Sequence, residues 1–150
     1  MNRIDAADLP GRACSIAAAL DVVGDRWALL VVREVSLGHH RFSEILAGTG
    51  APRDRLTARL KLLVEVGVLE RRPYQDNPPR AEYHLTAAGR GLRPVLHALR
   101  QWGDDNAVLA PPVRLVHGSD AHEARAEWTC ITCGQPLRGS HAHLEPTTQP

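Results

Sequence analysis

The chain has 150 residues, enough for one ordinary domain with a modest extension and too few for two full-sized cores, which excludes most large enzyme architectures. A hydrophobic content of 43% beside 23% charged residues is globular rather than disordered, and no apolar run approaches the roughly 18 residues of a membrane span. The net charge of +1 hides a bias: of the 18 basic residues all but Lys61 are arginine, and residues 53–80 carry seven basic side chains against four acidic ones. Arginine offers a rigid planar fork suited to phosphate and guanine, so a local strip of it points to a polyanion, although a merely solvated helix face is the commoner meaning of such strips. Met1 to Pro10 lacks the charged-then-apolar layout of a secretory signal, so a cytoplasmic protein with no membrane partner is expected. Three cysteines in a reducing compartment argue against a disulfide framework and for metal or thiol chemistry.

In chain order, Ile16, Leu20 and Val23 recur at helical spacing and predict a short amphipathic helix over residues 14–23, stopped by Gly24. Asp25 is a candidate N-cap for a second helix with Trp27, Leu30, Val31 and Val35 inward, ending near Gly38. A third helix is expected at Ser43 to Leu46 with a serine cap, followed by the turn Gly48-Thr49-Gly50. Leu56, Leu60, Leu63 and Val64 then define a helix from about Pro52 to Val66. On its wheel Asp54, Arg55, Ala58 and Lys61 point away from the leucine stripe, with Thr57 and Arg59 flanking it. Residues 68–72 and 82–86 predict a two-stranded hairpin with a long, proline-stiffened tip that carries Arg80. Thr86 should cap a last long helix, kinked or cut short near Pro94, whose stripe of Leu92, Val95, Leu96, Leu99 and Trp102 needs a partner surface. Residues 106–150 form a different kind of segment, poor in aliphatics and containing Cys130, Cys133, His117, His122, His141 and His143.

Helix, turn, helix and hairpin in that order predict an α+β, mainly α, winged helix-turn-helix domain, in which the second helix enters the major groove and the wing follows the backbone or minor groove. Several motifs strengthen this: Cys14-Ser15-Ile16, Gly24-Asp25-Arg26-Trp27, Arg41-Phe42-Ser43-Glu44-Ile45, Leu56-Thr57-Ala58-Arg59-Leu60, Gly67-Val68-Leu69-Glu70-Arg71, Pro78 to Thr86, and Gly89. In order and spacing they resemble the HxlR-type branch of bacterial winged helix-turn-helix regulators over about residues 12–105, leaving an arm at 1–11 and an extension at 106–150. The resemblance implies a homodimeric transcription factor, usually a repressor of a neighbouring gene, with terminal helices at the dimer interface. Pro52 departs from the family, where a serine-like cap is common.

On this reading the partner is a double-stranded DNA operator. Arg53, Arg55, Thr57 and Ala58 are assigned to base edges, since arginine forks fit guanine and an alanine methyl can meet a thymine methyl. Arg59 and Lys61, with Arg41 and Ser43 from the preceding helix, are assigned to phosphate, and Arg80 to the minor groove or its edge. About four phosphate contacts per subunit give a log–log salt slope of roughly −7 for the dimer. The alternative is a winged-helix module that has lost DNA and binds protein; an apolar outer face over residues 53–61 would favour it.

Cys14 matches the cysteine that redox- or electrophile-sensing members of the family use as a switch. A thiol at a helix N-terminus has a lowered pKa, which gives that role a mechanism, while a small core residue is an equally good account. A small-molecule effector is also compatible with the family. Cys130-Ile131-Thr132-Cys133-Gly134 has the form of one zinc knuckle, for which His117 and His122, or His141 and His143, would have to complete a structural four-ligand site. No cofactor is otherwise required. No enzyme is expected, because the chain lacks the His-x-Glu of zinc deaminases, H-E-x-x-H, Gly-x-Ser-x-Gly and a phosphate loop.

Overall fold

A computed structural model describes residues 10–137, 139 and 142–145, so residues 1–9 of the arm expected at 1–11, and His141, lie outside the described residues. The chain divides into two compact units, one up to Leu96 and one from His97 onward.

In the first unit, α1 (Ser15–Val23) buries only Val23; the other two members of its predicted stripe, Ile16 and Leu20, are exposed, so that stripe is not consumed inside the chain. Helix α2 (Arg26–Ser36) starts where Asp25 accepts the backbone N–H of Trp27 at 2.8 Å, as a carboxylate cap should. Its buried face is Ala28, Val31, Val32 and Val35, while Trp27 and Leu30 are only half-buried. The same helix buries Glu34, whose carboxylate is satisfied by Arg33 and by His39 Nδ1 at 2.8 Å; Arg33 in turn donates to the Gly48 carbonyl at 2.8 Å and so ties α2 to α3 (Phe42–Thr49). Helix α3 begins two residues earlier than a Ser43 cap would place it, with Arg41 as the N-cap residue. Glu44 reaches back to accept the backbone N–H groups of Arg41 (2.9 Å) and His40 (3.0 Å), leaving Ser43 inside the first turn and exposed.

Gly50, at φ 64, turns the chain into α4 (Arg53–Glu65), with Pro52 as N-cap residue. Leu56, Leu60 and Leu63 of α4 are fully buried against Val31, Val32 and Ile45, each contributing about 1.5–3 kcal/mol relative to exposure. The wing is longer than expected: β1 (Leu69–Gln75) pairs antiparallel with β2 (Arg80–Leu85) from Leu69↔Leu85 to Gln75↔Arg80, with an irregularity after Pro73. Strand β2 also bonds on its other side, where Tyr83 N–H donates to the His40 carbonyl at 2.9 Å and Glu82 bridges Arg41. Strand β1 is therefore the edge, the place where Pro73 costs no ladder bond. Thr86 accepts from Gly89 N–H at 3.2 Å, but it caps the four-residue α5 (Ala87–Arg90) rather than a long helix. A fresh helix, α6 (Arg93–Asn106), follows with Pro94 in its first turn, where a missing N–H does no harm. Leu92 and Leu96 lean on the core, and this arrangement of core, helices and wing is a winged helix-turn-helix.

The division between units falls inside α6, none of whose residues is buried; Val95, Leu99 and Trp102 are 39%, 49% and 64% exposed. Beyond it lie a two-residue-per-strand hairpin, β3 (Val116–His117) with β4 (His122–Glu123), and a second turn closed by the Thr129↔Pro136 bridge. Among the described residues no helix is long and apolar enough to cross a membrane.

Candidate nucleic-acid interface

Helix α4 presents Arg53, Asp54, Arg55, Thr57, Ala58 and Lys61 to solvent because its three buried leucines fix the opposite side. Among the described residues the Arg55 side chain has no hydrogen bond or ion pair, and Arg53 is held only over the Phe42 ring, 5.2 Å from its centroid. Thr57 spends its hydroxyl proton on the Arg53 carbonyl at 2.8 Å, though its methyl and oxygen lone pairs stay exposed. Lys61 sits 3.7 Å from Glu65 as an exposed i,i+4 pair, too weak to withdraw it from another anion. Arg59 differs from the sequence expectation. Its guanidinium lies 3.0 Å from Asp25, the residue that caps α2, and its side chain is only 22% exposed, so it braces α4 against the start of α2.

The wing comes up beside the start of α3 and α4. Arg41, Phe42, Arg53, Arg71, Tyr74 and Arg80 line a cleft of about 500 Å³. Arg41 is steadied by Glu82 at 3.5 Å and by the Tyr74 ring at 5.3 Å, whereas Arg71 and Arg80 have no side-chain partner among the described residues. Sequence reasoning named Arg41, Arg53 and Arg80 but missed Arg71 and Tyr74. The one signal in the sequence was Arg71's membership of the basic strip over residues 53–80.

Cys14 is the N-cap residue of α1, in extended backbone geometry, and is half-buried. The backbone N–H groups of Ala17 and Ile16 face its sulfur and hold the thiol pKa below its ordinary value. In the tail, the N–H groups of Cys133 and Thr132 lower the Cys130 pKa in the same way, and Gly134 closes the turn by donating to the Cys130 carbonyl at 2.8 Å. This turn supplies two of the four ligands that a structural zinc site would need. His117 and His122 pack edge to face at 5.7 Å on their own hairpin, His122 is bonded to Asp120 at 2.8 Å, and His143 to Glu145 at 2.8 Å. Among the described residues no three of His, Cys, Asp or Glu come together in a way that could hold a metal ion, so the four-ligand zinc site expected from Cys130, Cys133, His117 and His122 is not assembled.

A winged helix-turn-helix with a solvent-facing cationic helix defines the class as a helix-turn-helix transcriptional regulator. Residues 22–110 match the model of the HxlR-like helix-turn-helix family, and the chain belongs to that family. It is 40% identical over 134 residues to an uncharacterized HTH-type transcriptional regulator of Mycobacterium tuberculosis, covering 88% of this chain and 85% of that one. It is similar in structure to PA1607, described as a transcription factor, with a TM-score of 0.77 and 38% identity over 88% of this chain and 94% of that one. The redox regulator HypR in its reduced form aligns with a TM-score of 0.55 and 30% identity over 62% of this chain and 93% of that one.

Proposed function

We propose that the protein is a sequence-specific DNA-binding repressor that acts as a homodimer, with α4 in the major groove and the wing along the flanking backbone. The observation that carries this reading is the exposure of Arg53 and Arg55 on the first turn of α4, without carboxylate partners among the described residues, beside the wing's Arg80. Guanidinium groups left unneutralised by the fold gain most from phosphate and guanine. The protein-interaction alternative needs an apolar outer face on α4, and its exposed residues from 53 to 61 include no large hydrophobe. Dimerisation is supported by the exposed stripe Val95, Leu99 and Trp102 on α6, which isolated in water would be costly. The signal we assign to Cys14 is an oxidant or electrophile, on the strength of its N-terminal helix position and lowered pKa, and a redox regulator stands among the structural neighbours.

Footprinting of the purified protein on the DNA upstream of its own gene, at low salt, tests the reading. Two protected half-sites about 34 Å apart are expected. Arg55→Ala should weaken binding by roughly 5- to 150-fold and relax sequence preference, the worth of one bidentate base contact. A thiol oxidant should release DNA from the wild type and not from Cys14→Ser. No protection at any accessible site would overturn the reading.

A further inference from the structure

The cleft between the wing and the starts of α3 and α4 is concave, whereas a duplex needs only a surface to lie on. Four arginines, Arg41, Arg53, Arg71 and Arg80, line it, and they come from four separate elements or element junctions. The only carboxylate bonded to any of them among the described residues is Glu82, at 3.5 Å from Arg41. The fold therefore lines one open cleft of about 500 Å³ with about three positive charges that no bonded carboxylate offsets among the described residues. Gathering like charges opposes folding unless an anion joins them.

Two of the four side chains are also restrained in advance. The Arg53 guanidinium rests over Phe42 and that of Arg41 over Tyr74, at 5.2 and 5.3 Å from the ring centroids. An aromatic face fixes the plane of a guanidinium without spending its N–H donors, so the forks stay free to bind oxygen while their rotamer freedom is already reduced. Two restrained and two free arginines form a socket suited to a tetrahedral oxyanion, which can accept from several forks at once.

We infer that this cleft is a discrete phosphate socket, in which Arg71 is a binding residue together with Arg53 and Arg80. The inference rests on the DNA reading for one source of that phosphate, a single phosphodiester of the operator backbone beside the wing. Free phosphate is the second source, with the same chemistry, and it competes for the same groups. Operator binding would then respond to phosphate itself and not only to ionic strength.

The test uses the full chain. Inorganic phosphate is titrated into the protein calorimetrically at constant ionic strength set with chloride. Saturable binding of one phosphate per chain is expected, weakened at least tenfold by Arg71→Gln and unchanged by Arg55→Gln, which lies outside the cleft. In parallel, phosphate and chloride are compared as releasing agents for the protein–DNA complex at matched ionic strength; phosphate should release more, and Arg71→Gln should abolish the difference. Loss of phosphate binding in Arg71→Gln with duplex affinity intact would support the socket and assign it to the free anion alone. Phosphate binding without any duplex affinity would remove the DNA reading and leave the socket. Duplex binding with phosphate indistinguishable from chloride, or equal effects of the Arg71 and Arg55 variants on phosphate, would overturn the socket and leave the DNA reading. Circular dichroism of both variants separates loss of binding from loss of fold.

Discussion

The unit up to Leu96 and the unit from His97 onward draw on the same alphabet of residues but use it differently. Among the described residues the first buries thirteen hydrophobic side chains, from Val23 to Leu85, and satisfies the one carboxylate buried there, Glu34, with two partners. The second has no buried residue among those described, and its order comes from short backbone ladders such as Val116↔Glu123 and from exposed ion pairs such as Arg125 with Asp105. Burial fixes geometry far more tightly than exposed polar contacts do. The interface proposed for DNA is accordingly mounted on the first unit, where a side chain's direction is dictated by leucines on the opposite face of its helix.

The sharpest way to break this contrast is to delete apolar volume in each unit. Leu60→Ala, in the first, should cost about 2–5 kcal/mol of unfolding free energy by urea denaturation. Ile131→Ala, at a fully exposed position in the second, should change it by less than about 0.5 kcal/mol. Comparable losses at the two sites would dissolve the distinction.

A smaller effect is expected where α5 presses on the wing root. A Cβ at Gly89 would stand 2.2 Å from the Val68 carbonyl oxygen, a backbone atom that also receives the N–H and hydroxyl of Thr86. Gly89→Ala should therefore lower stability by about 1–3 kcal/mol, read as a shift in the thermal midpoint, because backbone rather than a flexible side chain has to move.

The smallest effect is electrostatic. Chiefly the Arg41 N–H, and then that of His40, hold the Glu44 carboxyl below the usual carboxylate range. A group with a depressed folded pKa stabilises the fold above its unfolded value, about 4.3 for glutamate, and loses that contribution as pH falls through the folded value. Glu44→Gln should thus be less stable than wild type at pH 7, with the gap closing below about pH 4. Urea midpoints at pH 7 and pH 3.5 measure it, and a gap that persisted at the lower pH would show that charge is not the cause.

Much of the first unit could be read from the chain because its elements follow local rules. The leucine spacing of α4, the Asp25 cap and the two extended segments around the proline-stiffened wing tip each depend on neighbours within about one turn or one hairpin. The failures are of a different kind. Ser43 looked like a cap because serine usually is one, but Glu44 takes that duty by reaching back to Arg41. Arg59 looked free because its partner, Asp25, lies two helices upstream. Arg71 was passed over because only the folded wing brings β1 beside Arg41 and Arg53. In the tail, two cysteines and a set of histidines had suggestive spacing, yet among the described residues none is buried there and His117 and His122 do not meet Cys130 and Cys133.

The bonding of β2 on both sides has a consequence for recognition. His40 and Arg41, which lead into α3, are laced to Tyr83 and Glu82 on the inner strand of the wing. The hairpin cannot swing at its root independently of the helix pair, because doing so would strip paired backbone groups. For a duplex seated as proposed, the protein offers a fixed caliper rather than an adjustable one. Any bend or groove narrowing needed to satisfy helix and hairpin together must come from the nucleic acid, so base steps that deform cheaply should be selected at positions no side chain touches.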